Sequence, residues 1–151
     1  FQGVKRRQEV RGIKRGITVM DDFAHHPTAV KETISAARPF YTEGRIVAVF
    51  EPRTNSSMRN VFQNIYPGSF ESADLICIRK PPLFEKIPHS ERFSSEKLVD
   101  DLKNQGKDAY FFSNTESIID FLVDRAIPGD LILIMSNGGF DNIHEELLEK
   151  L

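Results

Sequence analysis

Three short runs constrain the fold more than any other feature: Ile46-Val47-Ala48-Val49-Phe50, Leu75-Ile76-Cys77-Ile78 and Leu131-Ile132-Leu133-Ile134-Met135. Each is apolar almost without a break. A strand with one wet face alternates apolar and polar residues, whereas a strand of a parallel sheet covered on both faces does not. Tyr110-Phe111-Phe112 is a shorter fourth run. Between the runs lie stripes at helical spacing. Val30, Ile34 and Ala37 form the first. Met58, Val61, Phe62 and Ile65 form the second, with a stop expected at Pro67-Gly68. Leu98, Val99 and Leu102 precede Gly106, Ile118, Ile119 and Leu122 precede Pro128-Gly129, and Ile143, Leu147 and Leu151 come last. All five stripes read as core. Strands alternating with helices predict a layered α/β sheet with right-handed crossovers. Ahead of this rhythm, residues 8–22 read as a hairpin turning at Lys14-Arg15-Gly16. The proline-bearing stretch 79–93 reads as a long loop that either carries function or moves.

A chain of 151 residues suffices for one domain with a real core. Its formal charge of -2 argues against a nucleic-acid partner, despite the basic cluster Lys5-Arg6-Arg7, Arg11, Lys14 and Arg15. Cys77 is the single cysteine, so no internal disulfide is possible, and a buried free thiol in a cytoplasmic protein is expected. No apolar stretch approaches the roughly 20 residues of a membrane span. The start at Phe1 reads as a piece of a longer protein.

Three segments occupy the strand-to-helix positions where open α/β sheets bind ligands. The first is DDFAHHPT, residues 21–28. Pro27 suits the first residue of a helix, with His26 or a neighbour as cap. The two aspartates leave three readings open: a carboxylate for ribose hydroxyls, a plain structural turn, or a metal site that lacks the usual ligand spacing. The second is FEPRTNSS, residues 50–57, where Arg53 offers a fork suited to a carboxylate and Thr54, Asn55 and Ser56 are natural caps. The third is MSNGGFDNIH, residues 135–144, whose glycines let backbone N–H groups approach an anion. No phosphate loop G-x-x-x-x-G-K-[ST], no G-x-G-x-x-G, no G-x-S-x-G elbow and no Cys/His nucleophile pair occurs. A nucleotide here would need another domain to hold most of its phosphates.

FQGVKRRQE, DDFAHHPT, FEPRTNS and GDLILIMSNGGFDNIHEELL, in that order and spacing, resemble the C-terminal domain of the Mur ligase family over essentially the whole chain. The peptidoglycan-recycling branch is the nearest match. The resemblance implies a three-layer Rossmann-like domain. Its sheet would have about six mostly parallel strands with an antiparallel edge, and helices on both faces. It implies that a UDP-sugar domain and a central ATPase domain precede residues 1–151 in the complete protein. ATP and Mg2+, held mainly by the central domain, would activate a carboxylate of UDP-N-acetylmuramate as an acyl phosphate. The amine of a salvaged tripeptide, L-Ala-γ-D-Glu-meso-diaminopimelate, would then attack to form an amide. By position, Arg7 matches an arginine that reaches ATP and Asp22 an aspartate that binds the ribose, with His25 and His26 in the same ATP-facing turn. Arg53, Thr54 and Asn55 fall where the family presents its amine-bearing substrate, beside the turn of Ser136, Asn137, Gly138 and Gly139. No catalytic nucleophile and no metal ligand is expected on this domain, and the fragment alone is expected to be inactive. Residues 80–91 follow no pattern of the family. Two other readings remain: the domain of the ligase that adds L-alanine, and a non-catalytic Rossmann-type binding module.

Overall fold

A computed structural model describes residues 7–53, 58–82 and 84–151. Among the described residues six strands form one sheet: β1 (Glu9–Lys14), β2 (Ile17–Asp22), β3 (Ile46–Glu51), β4 (Leu75–Arg79), β5 (Asp108–Phe112) and β6 (Leu131–Ser136). Their spatial order is β1-β2-β6-β3-β4-β5. Only β1 and β2 pair antiparallel; the other neighbours run parallel. The hairpin turns at Arg15 and Gly16, both with positive φ (57° and 76°). Two successive left-handed residues make the kind of two-residue turn whose twist suits a hairpin.

The uninterrupted apolar strands are buried as expected. Every residue of β3 and β6 is buried, because helices cover both faces. On one face lie α1 (Pro27–Ala37), α2 (Tyr66–Ser69) and α3 (Ser95–Asn104), packed through Val30, Ile34, Tyr66, Leu98 and Leu102 onto Ile46, Ala48, Phe50, Ile76 and Leu133. On the other lie α4 (Thr115–Arg125) and α5 (Ile143–Lys150), packed through Ile118, Leu122, Ile143 and Leu147 onto Val19, Val47, Val49, Cys77 and Ile134. Cys77 is a buried free thiol, and its desolvation pushes the thiol pKa up.

The stripe at residues 58–65 corrects the sequence reading. It is a 3-10 turn at Asn60–Phe62, and the short α2 then runs through Pro67 and Gly68 rather than ending there. Proline has no N–H to contribute, so it belongs in the first turn of a helix, and here it starts α2. Val61 and Ile65 are 66% and 58% exposed, so they are not core. The stretch 79–93 is not a bare loop either. It holds 3-10 turns at Phe84–Lys86 and His89–Glu91, and it buries Ile87 and Phe93.

Candidate functional site

The chain order fixes where a crevice must open. From β3 the chain moves through α2 to β4 and through α3 to β5, along one face of the sheet. It returns through α4 on the other face to β6, which is inserted between β2 and β3. The connections after β2 and β3 therefore leave toward one face, and the chain after β6 leaves toward the other. Ligand crevices in open α/β sheets form at such switch points, beyond the carboxyl ends of the strands. The register places Asp22 beside Met135 and Glu51 beside Ser136. The ends of β2, β6 and β3 thus stand side by side.

At the β2 end, Asp22 and Arg7 line a cavity of about 280 Å³, together with Gln8, Ala24, Glu32 and Thr33. Asp22 is only 3% exposed. One carboxylate oxygen accepts the Gln8 N–H at 2.9 Å, and the other accepts the Ala24 N–H at 2.8 Å. Burial raises its pKa, and neighbouring Asp21 adds to this. The two backbone N–H donors and Arg7 pull the other way. Each carboxylate oxygen has about two acceptor sites, so capacity for hydroxyl donors remains toward the cavity.

His25 and His26 do not line that cavity. Their rings are tilted by 42° with centroids 4.6 Å apart, and His26 meets the Phe62 ring edge-on at 5.6 Å. The His25 ring nitrogen Nδ1 lies 2.9 Å from the Phe23 carbonyl, and the His25 carbonyl accepts from the Tyr66 hydroxyl. This ties the turn to α2. His26 occupies the N-cap position of α1, one of the positions expected for the cap, and its side chain makes no cap hydrogen bond.

At the switch point the structure brings together Arg53, Ser136 and Gly138, and adds a residue that sequence reasoning missed. Glu51, fully buried, accepts from the Ser136 hydroxyl at 2.6 Å and lies 3.4 Å from the Arg53 guanidinium. The Gly138 N–H in turn donates to Ser136 Oγ at 3.0 Å. The Arg53 side chain lies so close over Gly138 that a Cβ there would sit 2.1 Å from Arg53 Cδ. Asn137 and Gly139 are exposed at the rim. Thr54 and Asn55 lie outside the described residues. The only sequence signal for Glu51 was a carboxylate directly after an apolar run, and its burial follows from the register with Ser136.

Two further clusters also escaped the sequence. Asp21 and His144 are both buried, with His144 Nε2 3.2 Å from Asp21 Oδ1 and Arg11 Nη1 3.4 Å from Oδ2. The histidine contact is close but poorly directed, so neither His144 nitrogen makes a proper hydrogen bond. Past Gly139, three consecutive residues, Phe140, Asp141 and Asn142, hold positive φ of 50°, 52° and 59°. Asp141 is anchored there by the Thr115 hydroxyl at 2.7 Å, and Arg79 reaches both Thr115 and Asp141. Strain of this kind persists only where surrounding contacts over-determine it, and it gathers at functional sites.

The fold thus sets a carboxylate-lined cavity one strand removed from a buried switch-point cluster. Residues 6–138 match the family described as Mur ligase, glutamate ligase domain, and the chain belongs to it. The chain is 40% identical over 153 residues to the UDP-N-acetylmuramate--L-alanyl-gamma-D-glutamyl-meso-2,6-diaminoheptandioate ligase of Haemophilus influenzae, covering 100% of this chain and 31% of that protein. It is 35% identical over 150 residues to the UDP-N-acetylmuramate--L-alanine ligase of Caldanaerobacter subterraneus, covering 99% of this chain and 32% of that protein. The crystal structure of a murein peptide ligase from Psychrobacter arcticus matches with a TM-score of 0.83 at 33% identity, over 99% of this chain and 30% of that one. The chain therefore spans about a third of the length of the relatives it matches.

Proposed function

We propose that residues 1–151 are the C-terminal domain of an ATP-dependent amide ligase of peptidoglycan recycling. The enzyme would join UDP-N-acetylmuramate to the tripeptide L-Ala-γ-D-Glu-meso-diaminopimelate. One observation carries this reading: the Asp22 cavity and the Glu51–Ser136–Arg53 cluster lie at the ends of strands separated only by β6. At roughly 4.8 Å per strand step, the two lie on the order of 10 Å apart, near enough for one nucleotide and one acceptor to meet between them.

In this reading Asp22 accepts hydrogen bonds from the ribose hydroxyls and Arg7 lends positive charge at the cavity mouth. Arg53 offers its fork to a carboxylate of the peptide, with Glu51 and Gly138 fixing its course. Thr54, Asn55 and the Ser136–Gly139 turn complete the acceptor side, and His25 and His26 shape the turn behind the nucleotide. The domain brings no nucleophile. Its part is to hold the acceptor amine near the activated carboxylate and to exclude water as the domains close. The UDP-sugar and the ATP phosphates belong to the N-terminal and central domains of the complete protein. ATP would supply the phosphoryl group that activates the carboxylate. Among the described residues no three His, Cys, Asp or Glu side chains converge as a metal site, and Mg2+ would accompany the phosphates on the central domain. A cytoplasmic location belongs to the same proposal, and no described helix is long and apolar enough to cross a membrane.

The test is an amine screen with the full-length enzyme, UDP-N-acetylmuramate and ATP, following phosphate release. The tripeptide should drive turnover and L-alanine should not. Turnover with L-alanine alone would favour the biosynthetic ligase instead, and no phosphate release with either amine would overturn the ligase reading.

A further inference from the structure

The connection from β6 to α5 is strained, and the proposed nucleotide and acceptor contacts do not account for the strain. Phe140, Asp141 and Asn142 hold positive φ in succession, and the Asn142 N–H closes the turn on the Gly139 carbonyl at 3.1 Å. Left-handed backbone crowds the Cβ of an L-residue against the following carbonyl. Asp and Asn are enriched in that region, but a bulky aromatic such as Phe140, here fully buried, is an outlier. A tie from two other connections holds the segment. Asp141 Oδ2 accepts the Thr115 hydroxyl at 2.7 Å, and Arg79 Nε donates to the same hydroxyl oxygen at 3.0 Å. The hydroxyl thus accepts from the arginine and donates to the carboxylate, which fixes its direction. Arg79 ends β4, Thr115 opens α4 and Asp141 lies between β6 and α5. Thr115 is 6% exposed, whereas the Asp141 side chain is 55% exposed. The Arg79–Asp141 ion pair, at 3.4 Å and open to water, contributes little by itself. The buried hydroxyl is the part that gives the tie its direction.

We infer that Asp141, held by Thr115 and Arg79, is a positioning residue that keeps the Ser136–Gly139 turn and Arg53 in their working arrangement. The inference rests on the reading of that turn and Arg53 as the acceptor side of a tripeptide ligase. The turn is tied at both ends. At its start the Ser136 hydroxyl donates to Glu51 and accepts the Gly138 N–H. Past its end stands the Asp141–Thr115 bond, with only Asn137, Gly138, Gly139 and Phe140 between the two ties. So short a span, pinned at both ends, has little freedom to shift. Gly138 is the residue over which the Arg53 side chain runs, close enough that a Cβ would stand 2.1 Å from Arg53 Cδ. A displaced turn therefore displaces the guanidinium, and misplacement by even 1 Å is costly where the chemistry depends on positioning. Loss of the Asp141 tie lets the left-handed run relax and carries Gly138 with it. The Asp22 cavity is spared, because it lies at the end of β2, whereas the tie runs from β6 the other way, toward β4 and α4.

The test uses the full-length enzyme and two variants that cut the tie from opposite sides. Thr115→Val removes the hydroxyl at nearly constant volume. Asp141→Gly removes the carboxylate, while glycine accepts the positive φ without a Cβ penalty, so a change in function cannot come from added strain. Each should lower kcat/KM for the tripeptide about tenfold, the scale of one charged hydrogen bond, and leave the KM for ATP unchanged. Amide hydrogen exchange over residues 136–142 should quicken in both. Thr115→Ser, which keeps the hydroxyl, should restore most of the loss. Unchanged tripeptide kinetics, unchanged exchange over the turn, or equal losses toward ATP and tripeptide would overturn the inference and leave the ligase reading intact. A wild-type enzyme that does not ligate the tripeptide would instead overturn the ligase reading, and with it the inference that rests on it.

Discussion

Asp22 shows how much one side chain can be asked to do. Its oxygens hold the Gln8 and Ala24 N–H groups, and so fix the entry to the hairpin and the exit from β2, while the residue also lines the cavity. Asp22→Ala should therefore raise the ATP KM of the full enzyme, by about 1–3 kcal/mol or up to a hundredfold, the size of a lost hydrogen bond to a charged group. An unchanged ATP KM in a folded variant would remove Asp22 from the site. The pH dependence follows from burial. The folded pKa lies above that of the unfolded chain. The group's contribution to stability is thus greatest below the unfolded value and is lost as pH rises through the folded value, the reverse of a salt-bridged carboxylate. Nucleotide affinity should run the other way, falling as pH drops through the raised value, because protonation removes acceptor capacity. Titrating ADP binding from neutral to mildly acidic pH reads this directly, and Asp22→Asn should flatten the dependence. On the acceptor side, Gly138→Ala places a methyl 2.1 Å from Arg53 Cδ. Arg53 must leave its course over the glycine. Peptide kcat/KM should fall at least tenfold with the ATP KM unchanged, overpacking of this kind costing roughly 1–3 kcal/mol. A rise in the ATP KM with peptide kinetics intact would show that the two pockets have been exchanged.

Among the elements, the hairpin makes an unexpected link between fold and site. Its turn depends on Gly16, at φ 76° and with Pro128 3.1 Å from where a Cβ would stand. Gly16→Ala should cost roughly 1–2 kcal/mol, the left-handed penalty, readable as a lower Tm. The β1 register would loosen with it, and so would the Gln8 N–H bond to Asp22, so the variant should also weaken ADP binding. A lowered Tm with ADP binding untouched would uncouple the hairpin from the proposed nucleotide site at Asp22. The hairpin was legible in the sequence because Arg15-Gly16 and its flanks are local signals. So were the buried parallel strands, whose unbroken apolar runs admit few other environments. The stripe at Met58, Val61, Phe62 and Ile65 misled, because its spacing fits a helix while Pro67 begins one. Glu51 was invisible for a different reason. Nothing local marks a carboxylate as buried; only the pairing of β3 with β6 does so, and pairing across 85 residues is not written in either strand.

At the scale of the whole molecule, the insertion of β6 between β2 and β3 makes the crevice, and on the proposed function the domain supplies only part of the site. The cavity at Asp22 offers a carboxylate and an arginine, which suits the sugar end of a nucleotide, but the sequence has no phosphate loop to hold the other end. Effective catalysis by positioning requires both reactants held in one frame and water expelled. On the proposed function this domain holds only part of each contact and does neither alone. Residues 1–151 expressed alone should therefore fold, since both faces of the sheet are covered by their own helices, and yet release no phosphate from ATP, with or without UDP-N-acetylmuramate and tripeptide. Its ADP affinity should be far below that of the full enzyme, because only the ribose contacts remain. Circular dichroism establishes the fold, calorimetry the binding, and a phosphate assay the turnover. Appreciable ATP hydrolysis by the isolated domain would mean that a complete phosphate site lies within these residues, and the division of labour between domains would fall with it.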